Sequence, residues 1–319
     1  MINSVRNTVL SVLNKNNYGY ISPSDFNLFA KQAQLEVYEE YFSNYNKTVN
    51  AENLRTAGSD YADINKALSE TMESFLVSDF LIPKYLNVFY APSLTTTGNE
   101  AYMVNKILCY TKRLIQANNT SVSQGFLIDS NRNFISLGVN VGDIVVNIDT
   151  FQSAIVTNIA GATTLQINNN IFTSIDSYAI YSASNKSEVE KVSEGKISLL
   201  NSSSLTTPSA IYPAYTITGD TINVYPSNMN LYGSSYGMIN ATYFRYPKEP
   251  KWTYITINGS AVFDQSQSDY QDFEMPQEDE FKLVMKILQY AGVSIRELSV
   301  AQFAIAQEQH EQPTFSQQQ

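Results

Sequence analysis

Residues 22–42 read SPSDFNLFAKQAQLEVYEEYF, and this stretch predicts a helix with a defined start. Ser22 suits the N-cap, Pro23 suits the first helical position, and Asp25 lies where a carboxylate favours the positive end of the helix dipole. The apolar face of the predicted helix is broad and contains Phe26, Leu28, Phe29, Ala33, Leu35, Val37, Tyr38 and Phe42. A face this broad indicates a helix that is covered on more than one side.

Helical spacing continues on both sides of this stretch and predicts a helical domain over residues 1–82. The preceding helix is predicted to bury Val5, Val9, Val12 and Leu13. A third helix is predicted from about Tyr61, with Ile64, Leu68, Met72, Phe75 and Leu76 on one face. Pro83 and Pro92 then end the helical pattern, because proline interrupts the hydrogen bonding of a helix.

Residues 83–184 are predicted to be rich in β-structure. Residues 83–122 form a connecting segment in which Tyr102–Ile115 fits a helix or a strand, and its Val, Ile, Tyr and Thr content favours the strand. Residues 123–184 contain five short β-branched runs, at Phe126–Ile128, Asp143–Asn147, Ala154–Ile159, Thr164–Ile167 and Tyr178–Tyr181. Five short strands in about sixty residues predict an inserted small β-barrel.

Residues 185–275 are predicted to form a second β-rich domain. A helical turn is expected at Ser187–Gly195, before the strands resume. The dipeptide Gly219-Asp220 predicts a hairpin between Thr216–Ile217 and Thr221–Tyr225. Further strands are predicted at Gly237–Tyr246 and Trp252–Ile257.

The C-terminal region returns to a helical pattern and completes an α+β fold. Pro276 predicts a helix start and Gly292 its end, with Phe281, Val284, Ile287, Leu288 and Ala291 as the buried stripe. Ser299 and Gln302 fit the pattern of a second capping box and predict that another helix begins there. We expect the helices of residues 276–307 to pack with the helical domain. Residues 308–319 are a polar, Gln-rich tail that is too poor in apolar residues to fold alone.

The composition favours broad protein contacts over binding to DNA or membrane. Charged residues make up only 16% of the chain and 22 residues are tyrosine, whose apolar ring and polar tip suit wide, wet interfaces. The codon bias of an AT-rich genome explains the same composition equally well. The net charge of −10 disfavours generic binding to DNA or anionic lipid. No stretch is long and apolar enough to span a bilayer, and the N-terminus has no signal-peptide pattern.

The residue types that most catalytic and metal sites require are scarce. The chain has one cysteine, Cys109, and one histidine, His310, so a Cys–His nucleophile or a zinc site is not expected. The sequence contains no phosphate-binding glycine loop. Residues Asn14–Asp25 have the spacing of a calcium loop, but Asn at position 1 and a short Asp at position 12 predict weak binding at best. We therefore predict no catalytic residue, no cofactor site and no metal site, although scattered carboxylates leave a hydrolase open.

Two stretches together are similar to a known family. They are NKNNYGYISPSDFNLFAKQAQLEVYEEYFSNYN at residues 14–46, and KISLLNSSSLTTPSAIYPAYTITGDTINVYP at residues 196–226, which is continued by YFRYPKEPKWTY at residues 243–254. This pairing resembles head-to-tail connector proteins, also called tail ring or adaptor proteins, of crAss-like and podovirus-like bacteriophages. The resemblance covers most of the chain outside residues 123–184.

The resemblance implies a non-enzymatic virion protein that forms a ring of about a dozen copies under the portal. It implies contacts with the portal and with other tail or ring proteins, passage of genomic DNA without specific binding, and no membrane. Such a protein is made in the host cytoplasm and resides at the head-to-tail junction. The expected interface residues are Val300, Phe303 and Ala304 in the predicted helix and Phe315 in the tail. The alternatives are a fibre anchor, a head decoration protein or, less in keeping with the composition, a cell-wall hydrolase.

Overall fold

The computed structural model describes residues 1–15, 21–54, 62–227 and 238–294. These residues form two compact units. We call the described parts of 1–75 and 246–294 the helical unit, and Leu76–Arg245 the sheet unit. The fold mixes helices and sheets, so the predicted α+β class is confirmed.

The helices and strands alternate in blocks along the chain. The helices are α1 (Ile2–Lys15), α2 (Pro23–Leu54), α3 (Ala62–Glu73), α4 (Glu194–Asn201) and α5 (Glu280–Ser294), with a 3₁₀ turn at Gln277–Asp279. The strands before residue 150 are β1 (Leu76–Phe80), β2 (Pro83–Tyr85), β3 (Val88–Tyr90), β4 (Ala101–Tyr110), β5 (Arg113–Asn118), β6 (Ser121–Ser123), β7 (Phe126–Ile128) and β8 (Ile144–Asn147). The later strands are β9 (Ser153–Gly161), β10 (Thr164–Ile167), β11 (Ser177–Tyr181), β12 (Lys186–Glu188), β13 (Glu190–Lys191), β14 (Ala214–Thr218), β15 (Thr221–Tyr225), β16 (Met238–Arg245), β17 (Tyr254–Ile257) and β18 (Ser260–Phe263).

The start of α2 confirms the predicted capping. The Asp25 amide donates to Ser22 Oγ at 3.1 Å, and the Ser22 hydroxyl donates to the Asp25 carboxylate at 2.6 Å. Phe26 and Val37 are buried as predicted, but Leu28 is 63% exposed. The predicted apolar face was therefore too broad, because Leu28 points away from the helices that cover α2.

A strand replaces the end of the predicted helical domain. The helical pattern stops at Glu73, and β1 pairs along its whole length with β16, from Leu76 opposite Phe244 to Phe80 opposite Asn240. The helical prediction for residues 76–80 is therefore wrong. Pairing with β16, more than 150 residues later in the chain, determines the conformation of this segment. The local sequence pattern does not indicate so distant a partner strand.

Two antiparallel-rich sheets of the sheet unit share one core. The first has the order β1-β16-β4-β12 and the second the order β13-β14-β15-β3-β2. Their common core contains Leu81, Phe89, Ile107, Cys109, Val189, Tyr215, Ile222, Val224, Ile239, Ala241 and Tyr243. The predicted Gly219-Asp220 hairpin is confirmed as β14–β15, and Gly219 adopts the positive φ of +59° that the tight turn requires.

The five strands predicted within residues 123–184 are present, but they belong to an open sheet. The sheet has seven strands in the order β5-β11-β8-β9-β10-β7-β6. It wraps around a core that includes Leu127, Phe134, Val156, Phe172 and Tyr178. Within residues 62–227, no pairing joins its end strands β5 and β6, so a closed barrel is not shown. The sheet also includes β5 and most of β6, which precede residue 123.

Three further predictions differ from the structure in detail. Tyr102–Ile115 is extended as predicted, but the chain leaves one sheet after β4 and enters another at β5. Ser187–Gly195 contains two short strands, and helix α4 begins only at Glu194. Helix α5 continues two residues beyond Gly292, so this glycine lies within the helix. No helix in the described ranges combines the length and the hydropathy needed to cross a membrane.

Candidate assembly surface

An open cleft lies between α1 and the segment that contains α5. It has a volume of about 580 Å³. It is lined by Thr8, Val12, Gln277, Glu278, Glu280, Phe281, Val284, Met285 and Leu288. Phe281 is 52% exposed although it was predicted to be buried, whereas Ile287 and Ala291 on the same helix are fully buried. A half-exposed Phe in a cleft is typical of a surface that receives a partner.

Polar contacts of Tyr41 on α2 hold the segment that leads into α5. The Tyr41 hydroxyl donates to the Asp279 carboxylate and contacts the Met275 sulfur at 3.4 Å. Burial, and then the Asp279 carboxylate beside it, raises the pKa of Tyr41 above its ordinary value, so this tyrosine remains a donor at neutral pH. The first turn of α5, which carries two of the cleft residues, is thus held in place.

Lys286 makes the second polar connection between these helices. Its side chain is 7% exposed, and its ammonium group lies 3.2 Å from Glu36 and 2.6 Å from Glu40. Tyr290 also donates to Glu36, and burial together with that carboxylate raises the pKa of Tyr290. A neighbouring hollow of about 270 Å³ is lined by Glu36, Glu39, Glu40, Ser43 and Lys286.

Replacing Lys286 with methionine should destabilise the helical unit. The Lys286→Met variant keeps the apolar stem but leaves Glu36 and Glu40 without this ammonium group. We expect a loss of about 1–3 kcal/mol in the free energy of unfolding, below the value for fully buried pairs because both carboxylates reach solvent. Chemical denaturation followed by Trp252 fluorescence measures the loss. Lys282→Met is the control: the Lys282 side chain is 38% exposed, its ammonium group lies 3.4 Å from Asp279, and Asp279 keeps its hydrogen bond from Tyr41, so the loss should stay within about 1 kcal/mol. Equal losses in the two variants would contradict the buried role of Lys286.

Asp272 anchors the start of α1 and gives this unit a dependence on pH. Burial raises the pKa of Asp272, but hydrogen bonds from the amino group of Met1 and from the amides of Ile2 and Phe273 outweigh it, so the pKa lies below 3.8. A carboxyl group whose pKa is lower in the folded state than in the unfolded state stabilises the fold at pH values above its unfolded pKa. This stabilisation is lost as the pH falls through the folded pKa.

The Asp272→Asn variant tests this anchor. The difference in melting temperature between the native chain and the variant should stay constant from about pH 7 to about pH 5 and narrow below about pH 4. Thermal denaturation across this range measures the difference. If the difference in melting temperature stays the same down to about pH 3, the Asp272 carboxylate does not stabilise α1 in this way.

A second exposed apolar surface is the hairpin β17–β18. Tyr254, Ile255, Ile257 and Val262 are each 42–48% exposed, and residues 254–263 carry no charge. Asn258 and Gly259 both have positive φ, which is typical of a two-residue type I′ turn. Neither strand has a third partner among the described residues, and a two-stranded ribbon is marginal by itself in water.

The structure does not gather the other candidate residues into a reactive site. Cys109 is buried in the core of the sheet unit. Asp25 takes part in the cap of α2, while residues 16–20 of the stretch with calcium-loop spacing lie outside the described residues. No group of three or more His, Cys, Asp or Glu side chains in the described ranges could hold a metal ion. His310 and the predicted interface residues Val300, Phe303, Ala304 and Phe315 also lie outside the described residues.

Sequence reasoning missed both apolar surfaces. The stripe of α5 was assigned to the core in full, because periodicity cannot tell which edge of a stripe remains uncovered. The hairpin did have a signal, since Asn258-Gly259 is a strong turn dipeptide. Comparison with known proteins adds no assignment: no protein-family model matches the chain, and no curated protein matches it.

Proposed function

We propose that this chain is a structural subunit of a bacteriophage virion, which forms an oligomeric ring between the portal and the tail. The observation that carries the proposal is the pair of unlike apolar surfaces on the helical unit, the α1–α5 cleft and the β17–β18 hairpin. Unlike surfaces on one subunit make head-to-tail contacts, and such contacts produce a closed ring when the rotation closes. A ring of about a dozen copies is proposed from the family resemblance.

The net charge of the chain supports the proposal of a place along the DNA exit path. A net charge of −10 per subunit repels phosphate, so that genomic DNA passes without binding. The partners proposed are the portal and other tail or ring proteins, at the head-to-tail junction of the virion. We propose that the seven-stranded sheet is a barrel-like module, whose end strands β5 and β6 are consecutive in the chain.

Assembly of the purified chain tests the proposal. Mass photometry and negative-stain electron microscopy, with and without the portal protein, should show closed rings or ring formation on the portal. The Phe281→Asp variant should reduce the ring population at least about tenfold, because it places a charge in the cleft. The Leu205→Asp variant is the matched control, since Leu205 is 94% exposed and lies outside both surfaces. If rings form equally well with Phe281→Asp, the cleft is not part of the interface between subunits.

A further inference from the structure

The two faces of the β17–β18 hairpin have different surroundings. Tyr254 and Phe263 share one face, and their rings stack on Trp252 with ring centres 5.6 Å and 5.9 Å away. This face attaches the hairpin to the helical unit. Because side chains alternate along a strand, the opposite face carries a different set. It is aliphatic, each of its apolar side chains is 42–48% exposed, and it consists of Ile255, Ile257 and Val262.

Helix α1 separates the base of this hairpin from the cleft of the same chain. The Trp252 indole N–H donates to Asn3, and the Arg6 guanidinium lies over the Trp252 ring. The cleft is lined instead by Thr8 and Val12 of the same helix. At about 100° per residue, these two pairs of α1 residues lie about 170° apart around the helix. Among the described residues that line the cleft, none belongs to the hairpin, so the hairpin does not fill the cleft of its own chain.

The cleft and the aliphatic face of the hairpin have matching chemistry. The lining that α5 contributes is largely apolar and includes Val284, Met285 and Leu288. Glu278 and Glu280 add carboxylates at the N-terminal end of α5. Residues 254–263 contain no charged residue, so these carboxylates do not repel the hairpin. Its turn also offers hydrogen-bond donors at Asn258 and Ser260, and a carboxylate accepts hydrogen bonds from such groups.

We propose that the aliphatic face of the β17–β18 hairpin of one copy binds in the α1–α5 cleft of the adjacent copy. This inference rests on the proposed function, because it requires a neighbour in the ring. The hairpin base and the cleft lie on opposite sides of α1, so each copy gives its hairpin to one neighbour and receives the hairpin of the other. Such a contact is head-to-tail, and it covers the half-exposed Phe281 and the aliphatic face of the hairpin together.

Cysteine crosslinking on assembled rings tests which surfaces meet. Thr8→Cys places a thiol at the exposed edge of the cleft, Ile257→Cys places one on the hairpin, and the native Cys109 is buried. Rings are assembled, with the portal where it is needed, from an equal mixture of chains that each carry one of the two substitutions, and they are treated with a short bis-maleimide. Mass spectrometry should find peptides that join positions 8 and 257, which come from two copies because no chain carries both new cysteines. Leu205→Cys in place of Ile257→Cys is the control, and it should give a yield at least about tenfold lower because it is not held near the cleft.

A pair of charged variants tests which face of the hairpin is buried in the contact. Ile257→Asp places a carboxylate on the aliphatic face and should reduce the ring population at least about tenfold. Thr256→Asp places the same charge one residue away, on the opposite face of the same strand, where Thr256 is exposed. This variant should leave the ring population within about twofold of the native chain. Equal losses of rings in the two variants would contradict the assignment of the aliphatic face.

The outcomes separate this inference from the function on which it rests. Rings in which the yield between positions 8 and 257 does not exceed that of the Leu205→Cys control would overturn the inference and leave the proposed function intact. The same holds for rings in which position 257 crosslinks to the portal or to position 257 of another copy. A chain that stays monomeric with and without the portal would overturn both.

Discussion

Replacing Trp252 with alanine is expected to destabilise the helical unit by about 3–5 kcal/mol, the range for removing a large buried aromatic side chain. Trp252 is 2% exposed, and the guanidinium carbon of Arg6 lies 3.8 Å from the centre of its ring. The indole N–H donates to Asn3 at 3.1 Å. The Trp252 backbone also exchanges two hydrogen bonds with Asn27, so this residue joins α1, α2 and the hairpin segment.

Two variants separate the buried ring from its surroundings. Trp252→Phe keeps an aromatic ring under Arg6 but loses the indole N–H, and it should cost about 1–2 kcal/mol. Tyr254→Ala removes a ring that stacks on Trp252 but is 45% exposed, and it should cost less than about 1 kcal/mol. Denaturation followed by circular dichroism at 222 nm measures all three variants. A Trp252→Ala variant as stable as Tyr254→Ala would show that Trp252 does not hold the unit together.

Replacing Asn147 with alanine is expected to cost about 3–5 kcal/mol in the sheet unit, because four hydrogen bonds of a fully buried side chain are lost together. Its amide nitrogen donates to the Ile171 carbonyl at 2.9 Å and to the Asp176 carboxylate at 2.8 Å. Its oxygen accepts from the amides of Asp149 at 3.0 Å and Thr150 at 3.1 Å. Alanine leaves the buried Asp176 carboxylate with one donor fewer, which adds to the cost.

A second asparagine in the same unit provides the control. Asn133 is exposed, and its side chain accepts one hydrogen bond, from the Ser136 amide at 3.1 Å. Asn133→Ala should therefore cost less than about 1 kcal/mol. Calorimetry of the two variants measures the difference, and Trp252 fluorescence reports separately on the helical unit. Equal unfolding temperatures for Asn147→Ala and Asn133→Ala would show that the buried hydrogen bonds contribute little.

Local signals in the sequence predicted much of the fold. The Ser22-Pro23 start of α2 and the Gly219-Asp220 hairpin depend on side chains and turns within a few residues, so the sequence shows them directly. Strand β1 depends on a partner far along the chain and was missed. The open order of the seven-stranded sheet depends on which strands pair, and a run of short strands does not specify that.

The candidate surface could be predicted only in part. The apolar stripe of α5 was predicted. The exposure of Phe281 at its edge depends on how much of α5 the packing of α1 covers, which the sequence pattern does not show. The hairpin β17–β18 could have been found from Asn258-Gly259 between two alternating runs. The predicted interface residues Val300, Phe303 and Ala304 remain a prediction, because they lie outside the described residues.

The most direct test of the central proposal is to incubate the chain with purified portal protein and to measure the masses of the resulting complexes by native mass spectrometry. The account predicts a portal complex that contains a closed set of about a dozen copies of this chain. A chain that remains monomeric and leaves the mass of the portal unchanged would contradict it.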